Sequence, residues 1–102
     1  MDYSSLIEKR RARLHELEAL IADPALFDDR ARAEELMREH RRTRELMELW
    51  EQLGDLQRQR AANEQLMSGD DAELAEMAHA ECEELSARID ALTEQVQYSL
   101  LP

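Results

Sequence analysis

Glu76 and His79 are the residues whose types and spacing come nearest to chemistry in this chain. Three positions apart, they share one face of a helix. Glu-x-x-His is also the spacing by which two helices of a di-iron bundle each present ligands. A complete site needs a second such pair and two further carboxylates. Met37 stands three before His40, and Ala12 three before His15, so one copy of the chain cannot supply the second pair. Only a dimeric metal site would remain, and a solvated helix face explains Glu76 and His79 more simply. Cys82, three residues after His79, resembles half of a zinc site. No second Cys/His pair exists to complete four tetrahedral ligands. Cys82 lies instead on an apolar stripe, where a thiol packs as a small hydrophobe. Ser4, Ser5 and Ser68 fall at expected helix ends, where a hydroxyl serves backbone amides rather than nucleophilic attack. No Ser/His/Asp set, glycine-rich phosphate loop or reactive-thiol setting is apparent. The expectation is a chain that is not an enzyme, with no catalytic, cofactor-binding or metal-binding residues.

Two charged surfaces are stronger candidates for a role. Arg38, Arg41 and Arg42, with Arg44 beside them, could meet phosphates. They are interleaved with Glu34, Glu35, Glu39, Glu45 and Glu48 at the spacing of intrahelical ion pairs. The expected state is mutual pairing on a solvated face, with a local contact to RNA or an acidic protein as the functional alternative. Glu73, Glu76, Glu83 and Asp90, with Glu94, form an acidic face that either is simply solvated or meets a basic protein. Of the net charge of −11, residues 1–50 hold 10 Lys+Arg against 12 Asp+Glu, and residues 51–102 hold 3 against 12. Direct sequence-specific nucleic-acid binding is not expected, because such a footprint is basic.

These faces require helices to carry them. The composition, 36% charged and only 4% aromatic, points to long helices or coiled coil. The expected fold class is all-α, a single domain of three antiparallel helices over about 5–22, 28–67 and 70–98. Ser5 and Glu8 have capping-box spacing at the first helix start, and Asp70 and Glu73 at the third. Asp23-Pro24 stops the first helix, because the residue before proline is pushed out of the helical region. Ala25-Leu26-Phe27 is read as an apolar connector, with Asp28 or Asp29 capping the second helix. Gly54 is read as a soft spot inside that helix, and Gly69 as the left-handed residue that closes it.

The second helix carries two seams: Leu36, His40, Thr43, Met47 and Trp50, and then Leu46, Leu49, Leu53 and Leu56. A helix with two seams touches two neighbours. The third helix has the stripe Leu74, Ala78, Cys82, Leu85, Ile89, Leu92 and Val96. At 1.5 Å per residue the helices measure about 30, 60 and 40 Å in chain order. A three-helix zone is expected near His40 to Trp50, with a two-helix coiled-coil-like arm toward Gly69. The expected core contains Leu14, Leu17, Met47, Trp50, Leu53, Leu85, Ile89 and Leu92. Exposed seams are expected to permit self-association.

The lone cysteine excludes an internal disulfide, and no run approaches the length of a membrane span. The first residues contain no apolar signal-peptide core. A cytoplasmic location is expected, with no membrane partner.

The ordered set of segments resembles the N-terminal domain of bacterial class I peptide chain release factors. The set comprises Leu14-His15-Glu16-Leu17, Ala22-Asp23-Pro24, Asp28-Asp29, Asp71-Ala72-Glu73-Leu74-Ala75-Glu76-Met77-Ala78 and the closing Leu100-Leu101-Pro102. The Leu-Leu-Pro ending is similar to the UAA/UAG-reading type, release factor one. The UGA-reading type usually carries Phe-Trp-Asp where this chain has Leu26-Phe27-Asp28. The resemblance implies a docking domain in translation termination, part of a longer factor that directs stop-codon-dependent peptide release. Its implied partners are the stalk-base region of the large ribosomal subunit and the class II release factor. The family's codon-reading tripeptides and its Gly-Gly-Gln motif do not occur in these residues. The alternative is a free-standing helical adaptor or coiled-coil spacer. A Gly-Gly-Gln downstream of Pro102 would separate the two.

Overall fold

The computed structural model describes residues 3–102. Among them lie three α-helices and one short 3-10 turn, with no strand. Helix α1 is Ser4–Ala22, α2 is Arg30–Met67 and α3 is Ala72–Ser99, and the turn Pro24–Asp28 joins α1 to α2. The all-α class and the three helices agree with the sequence pattern, and the helix limits fall within about two residues of those expected.

The caps differ in identity. Tyr3, not Ser5, stands at the start of α1, and its carbonyl accepts the Ile7 N–H at 2.9 Å. Ser5 therefore lies inside the first turn, and Glu8 turns instead to Arg11 at 3.4 Å. Asp23 has the extended backbone that the following proline demands, and its carboxylate accepts the Ala25 N–H at 3.0 Å to open the 3-10 turn. Asp29 caps α2, with Oδ1 accepting the Arg32 N–H at 3.1 Å. Asp71, not Asp70, caps α3, because it is the extended residue three before Leu74, whose N–H it accepts at 3.1 Å. Glu73 then sits too early for the reciprocal capping-box bond, although its charge still suits a helix N-terminus.

Gly69 is a second correction: no glycine among the described residues has positive φ. The end of α2 is closed by tighter bonds instead. The Gly69 N–H donates to the Leu66 carbonyl at 3.2 Å, and the Ser68 hydroxyl donates to the Gln65 carbonyl at 3.1 Å. Those bonds satisfy orphan carbonyls without a left-handed residue.

The chain divides into two compact units, residues 1–48 and 49–102. In the first, Leu17 of α1, Leu26 of the turn, and Ala33 and Leu36 of α2 form one buried cluster, with Leu20 and Ile21 at its edge. In the second, Leu53 and Leu56 of α2 are buried, as are Ala78, Cys82, Leu85, Ile89, Leu92 and Val96 of α3. The Cys82 thiol donates to the Arg60 carbonyl at 3.8 Å, and the Arg60 guanidinium donates to the Ser86 hydroxyl at 3.5 Å. Leu14, Met47 and Trp50, expected in the core, are half-buried. Met47 is rotated about 100° from buried Leu46. An indole is large enough that it is seldom wholly covered. Leu74, expected at the head of the α3 stripe, is exposed.

From Ala61 to Met77 nothing is buried. Backbone there is held by local bonds alone, so it should open at lower free energy than the packed part of the same unit. Amide exchange is expected to be faster around Ser68 than around Trp50, and hydrogen-exchange mass spectrometry reads the order directly. Gly54 sits within continuous helix, and an added Cβ would meet only the flexible Arg58 side chain, at 3.3 Å. Gly54→Ala is expected to stabilise by about 0.5–1 kcal/mol, measured by urea unfolding. A loss of stability would mean that Arg58 cannot yield.

Candidate docking surfaces

The residues of α3 divide cleanly by helical phase. Its stripe from Ala78 to Val96 is buried, and Glu76, Glu83 and Asp90 recur every seven residues on the side turned away from it. Glu73 and Glu94 extend the same exposed face. The His79 Nδ1 lies 3.8 Å from Glu83 Oε1, both side chains being well exposed. Glu76 and His79 share this solvated side. Among the described residues no three His, Cys, Asp or Glu side chains come together as a metal would require. What the arrangement offers is a band of carboxylates in water, suited to long-range attraction of a basic surface rather than to proton transfer.

The arginine cluster of α2 separates. Arg30 pairs with Glu34 at 3.3 Å and Arg44 with Glu48 at 3.6 Å, both on the exposed surface. Arg38 and Arg41 stand in no ion pair among the described residues. They border a groove of about 360 Å³ whose other walls include Phe27, Arg30, Ala33 and Met37. Arg42 is not among the residues that line this groove, and its charge helps to lower the carboxyl of Glu39. The expected pairing of the whole cluster therefore holds only in part: of its arginines, only Arg44 stands in an ion pair among the described residues.

Glu39 is held chiefly by Arg13, a contact that sequence spacing did not reveal. The two residues are 26 apart, beyond any local rule. Arg13 Nε donates to Glu39 Oε1 at 2.7 Å and Nη2 to Oε2 at 3.0 Å, a two-pronged bridge from α1 to α2. Arg13 Nη1 also donates to Glu16 Oε2 at 3.0 Å. These hydrogen bonds push the Glu39 carboxyl below its ordinary range and raise Arg13 further above neutrality. Paired guanidinium and carboxylate planes fix orientation as well as distance. Phe27 and Met37 were also missed as surface features. The signal for Phe27 was available, since anchoring Leu26 inward in a tight turn leaves its neighbour facing out.

A lowered carboxyl contributes stability that is present above its unfolded value and lost as pH falls through its folded value. Glu39→Gln is expected to flatten the loss of stability below about pH 4.5, relative to the parent chain. Urea midpoints at about pH 7 and about pH 3 measure it; an unchanged acid slope would mean that Glu39 contributes nothing through Arg13.

Comparison with known proteins adds a further observation. A family model described as the PCRF domain matches residues 10–102. A relative from Akkermansia muciniphila, "Peptide chain release factor 1", is 55% identical over 102 residues, all of this chain and 28% of that protein. Proteins of the same name from Geobacter sulfurreducens and Thermus thermophilus are 36% identical over 96 residues and 35% over 100. Each alignment takes in 94% of this chain, and 26% and 27% of those proteins respectively. The chain thus spans about a quarter of the length of the curated relatives it matches. No solved structure matches it.

Proposed function

Since the chain belongs to the PCRF domain family, we propose that it is the N-terminal helical docking domain of a peptide chain release factor, of the release factor 1 type, acting in translation termination. The observation that carries this reading is the 55% identity to a release factor 1 across all 102 residues, where helix-rich sequences of chance likeness would agree only in apolar periodicity. In this reading the chain does no chemistry. Stop-codon reading and peptidyl-tRNA hydrolysis belong to other parts of the factor, and these residues position those parts on the ribosome.

The partners proposed are the stalk-base region of the large subunit and the class II release factor. The acidic band of Glu73, Glu76, Glu83 and Asp90 supports a basic partner surface, and the unpaired Arg38 and Arg41 support a second, acidic one. No helix is long and apolar enough to cross a membrane. We place the domain in the cytoplasm, where ribosomes terminate.

Retention of purified stalk-base protein or class II factor by the immobilised chain tests the proposal. Binding is expected at low salt and is expected to weaken when Glu76, Glu83 and Asp90 are together changed to Lys. Failure of a folded sample to retain either partner would overturn the assignment of partners. A reading frame that lacks Gly-Gly-Gln beyond Pro102 would overturn the assignment to a release factor and favour a helical adaptor.

A further inference from the structure

We propose that the groove walled by Phe27, Ala33, Met37, Arg38 and Arg41 is a docking site for an acidic amphipathic helix of a partner protein. The inference is independent of the termination reading, because it rests on this surface alone.

Its floor is apolar and open. Phe27 is 58% exposed and Met37 41% exposed, and both line the same depression. Phe27 has no freedom to turn in: Leu26 fills the space beneath the 3-10 turn against Leu17, Ala33 and Leu36, and its neighbour must project outward. Apolar side chains gathered on a surface mark contact sites more often than scattered ones do.

The edge is cationic and unspent. The chain has 24 carboxylates, yet Arg38 and Arg41 pair with none of the described ones, while Arg30 and Arg44 on either side are paired. A guanidinium flanking apolar surface gains most from a carboxylate that arrives with an apolar residue of its own, since docking then shields the new bond from water.

Shape selects the form of the occupant. Met37 and Arg41 also border a second groove of about 300 Å³ that continues past His40 and Arg44. The two depressions follow the α2 surface lengthwise, so the matching ligand is a rod with anchors every three or four residues. Nucleic acid fits less well. Phosphates gain nothing from Phe27 and Met37, Glu34 and Glu48 lie among the same walls, and the chain's net charge of −11 repels a polyanion. A peptide helix with carboxylates on only its flanks meets less of that repulsion.

The test is a titration of the isotopically labelled chain, read by amide shifts, with three probes: a synthetic amphipathic helix carrying a Leu stripe flanked by Glu, the same peptide with Lys for Glu, and a short RNA hairpin. The Glu peptide is expected to give saturable shifts centred on Phe27, Ala33 and Met37. Phe27→Ser, or Arg38→Glu with Arg41→Glu, is expected to weaken it about tenfold or more with helical circular dichroism unchanged. Both variants alter exposed side chains, so either can serve if the other fails to fold. Equal binding of the Lys peptide, tighter binding of the RNA, shifts centred elsewhere, or no saturable shift would each overturn the proposal. So would concentration-dependent self-association abolished by Phe27→Ser, which would assign the groove to a second copy of this chain.

Discussion

Helix α2 carries apolar seams that water leaves uncovered, and the rest of the molecule follows from the need to bury them. Its apolar residues run through both compact units, with Leu36 and Leu46 in the first and Leu53 and Leu56 in the second. Each must be covered. Residues 1–48 supply α1 as the cover, and residues 49–102 supply α3. Magnitudes show why this burial, rather than the conspicuous charge, holds the helices in place. A fully buried Leu such as Leu17 or Leu85 contributes about 1.5–3 kcal/mol. An exposed pair such as Arg44–Glu48 contributes about 0–1 kcal/mol. The abundant surface ion pairs keep the helices soluble and well formed, while the seams decide which helices meet.

Polar groups inside the seams are handled locally. Thr43 is buried, and its hydroxyl donates to the Glu39 carbonyl at 2.8 Å, one turn back on its own helix. Thr93 does the same with Ile89 at 2.7 Å. Cys82 finds a carbonyl across the hairpin. None of the buried side-chain nitrogens and oxygens described lacks a partner. The buried polar groups described are therefore all met, and the two-pronged link from Arg13 to Glu39 lies at the rim of the first unit. There it fixes the register of α1 on α2 without the desolvation cost of a buried pair.

Function on such a scaffold is a matter of what the seams leave over. Once α3 turns its stripe inward, Glu76, Glu83 and Asp90 must face out together, because their seven-residue repeat keeps them in phase with each other and opposite the stripe. On α2, Arg38 and Arg41 border the same groove as Phe27 and Met37, while the charge of Arg42 acts on Glu39. A chain of this kind presents charged and apolar bands along its helices, which suits the docking role proposed for a PCRF-family chain.

The sequence by itself determined the three helices, their limits to within a turn, the buried stripe of α3 and the acidic band behind it. These are consequences of local periodicity and of Pro24, which acts on its immediate neighbour. Cap identity was legible only to within a residue or two, since Asp70 and Asp71, or Ser4 and Ser5, offer nearly equal chemistry and backbone geometry chooses between them. The bond from Arg13 to Glu39, the half-exposure of Trp50, the ordinary backbone of Gly69 and the groove at Phe27 were decided only by tertiary structure. Each depends on the distance between side chains remote in the chain, or on how a tight turn is anchored, and no rule of spacing along a single helix contains that information.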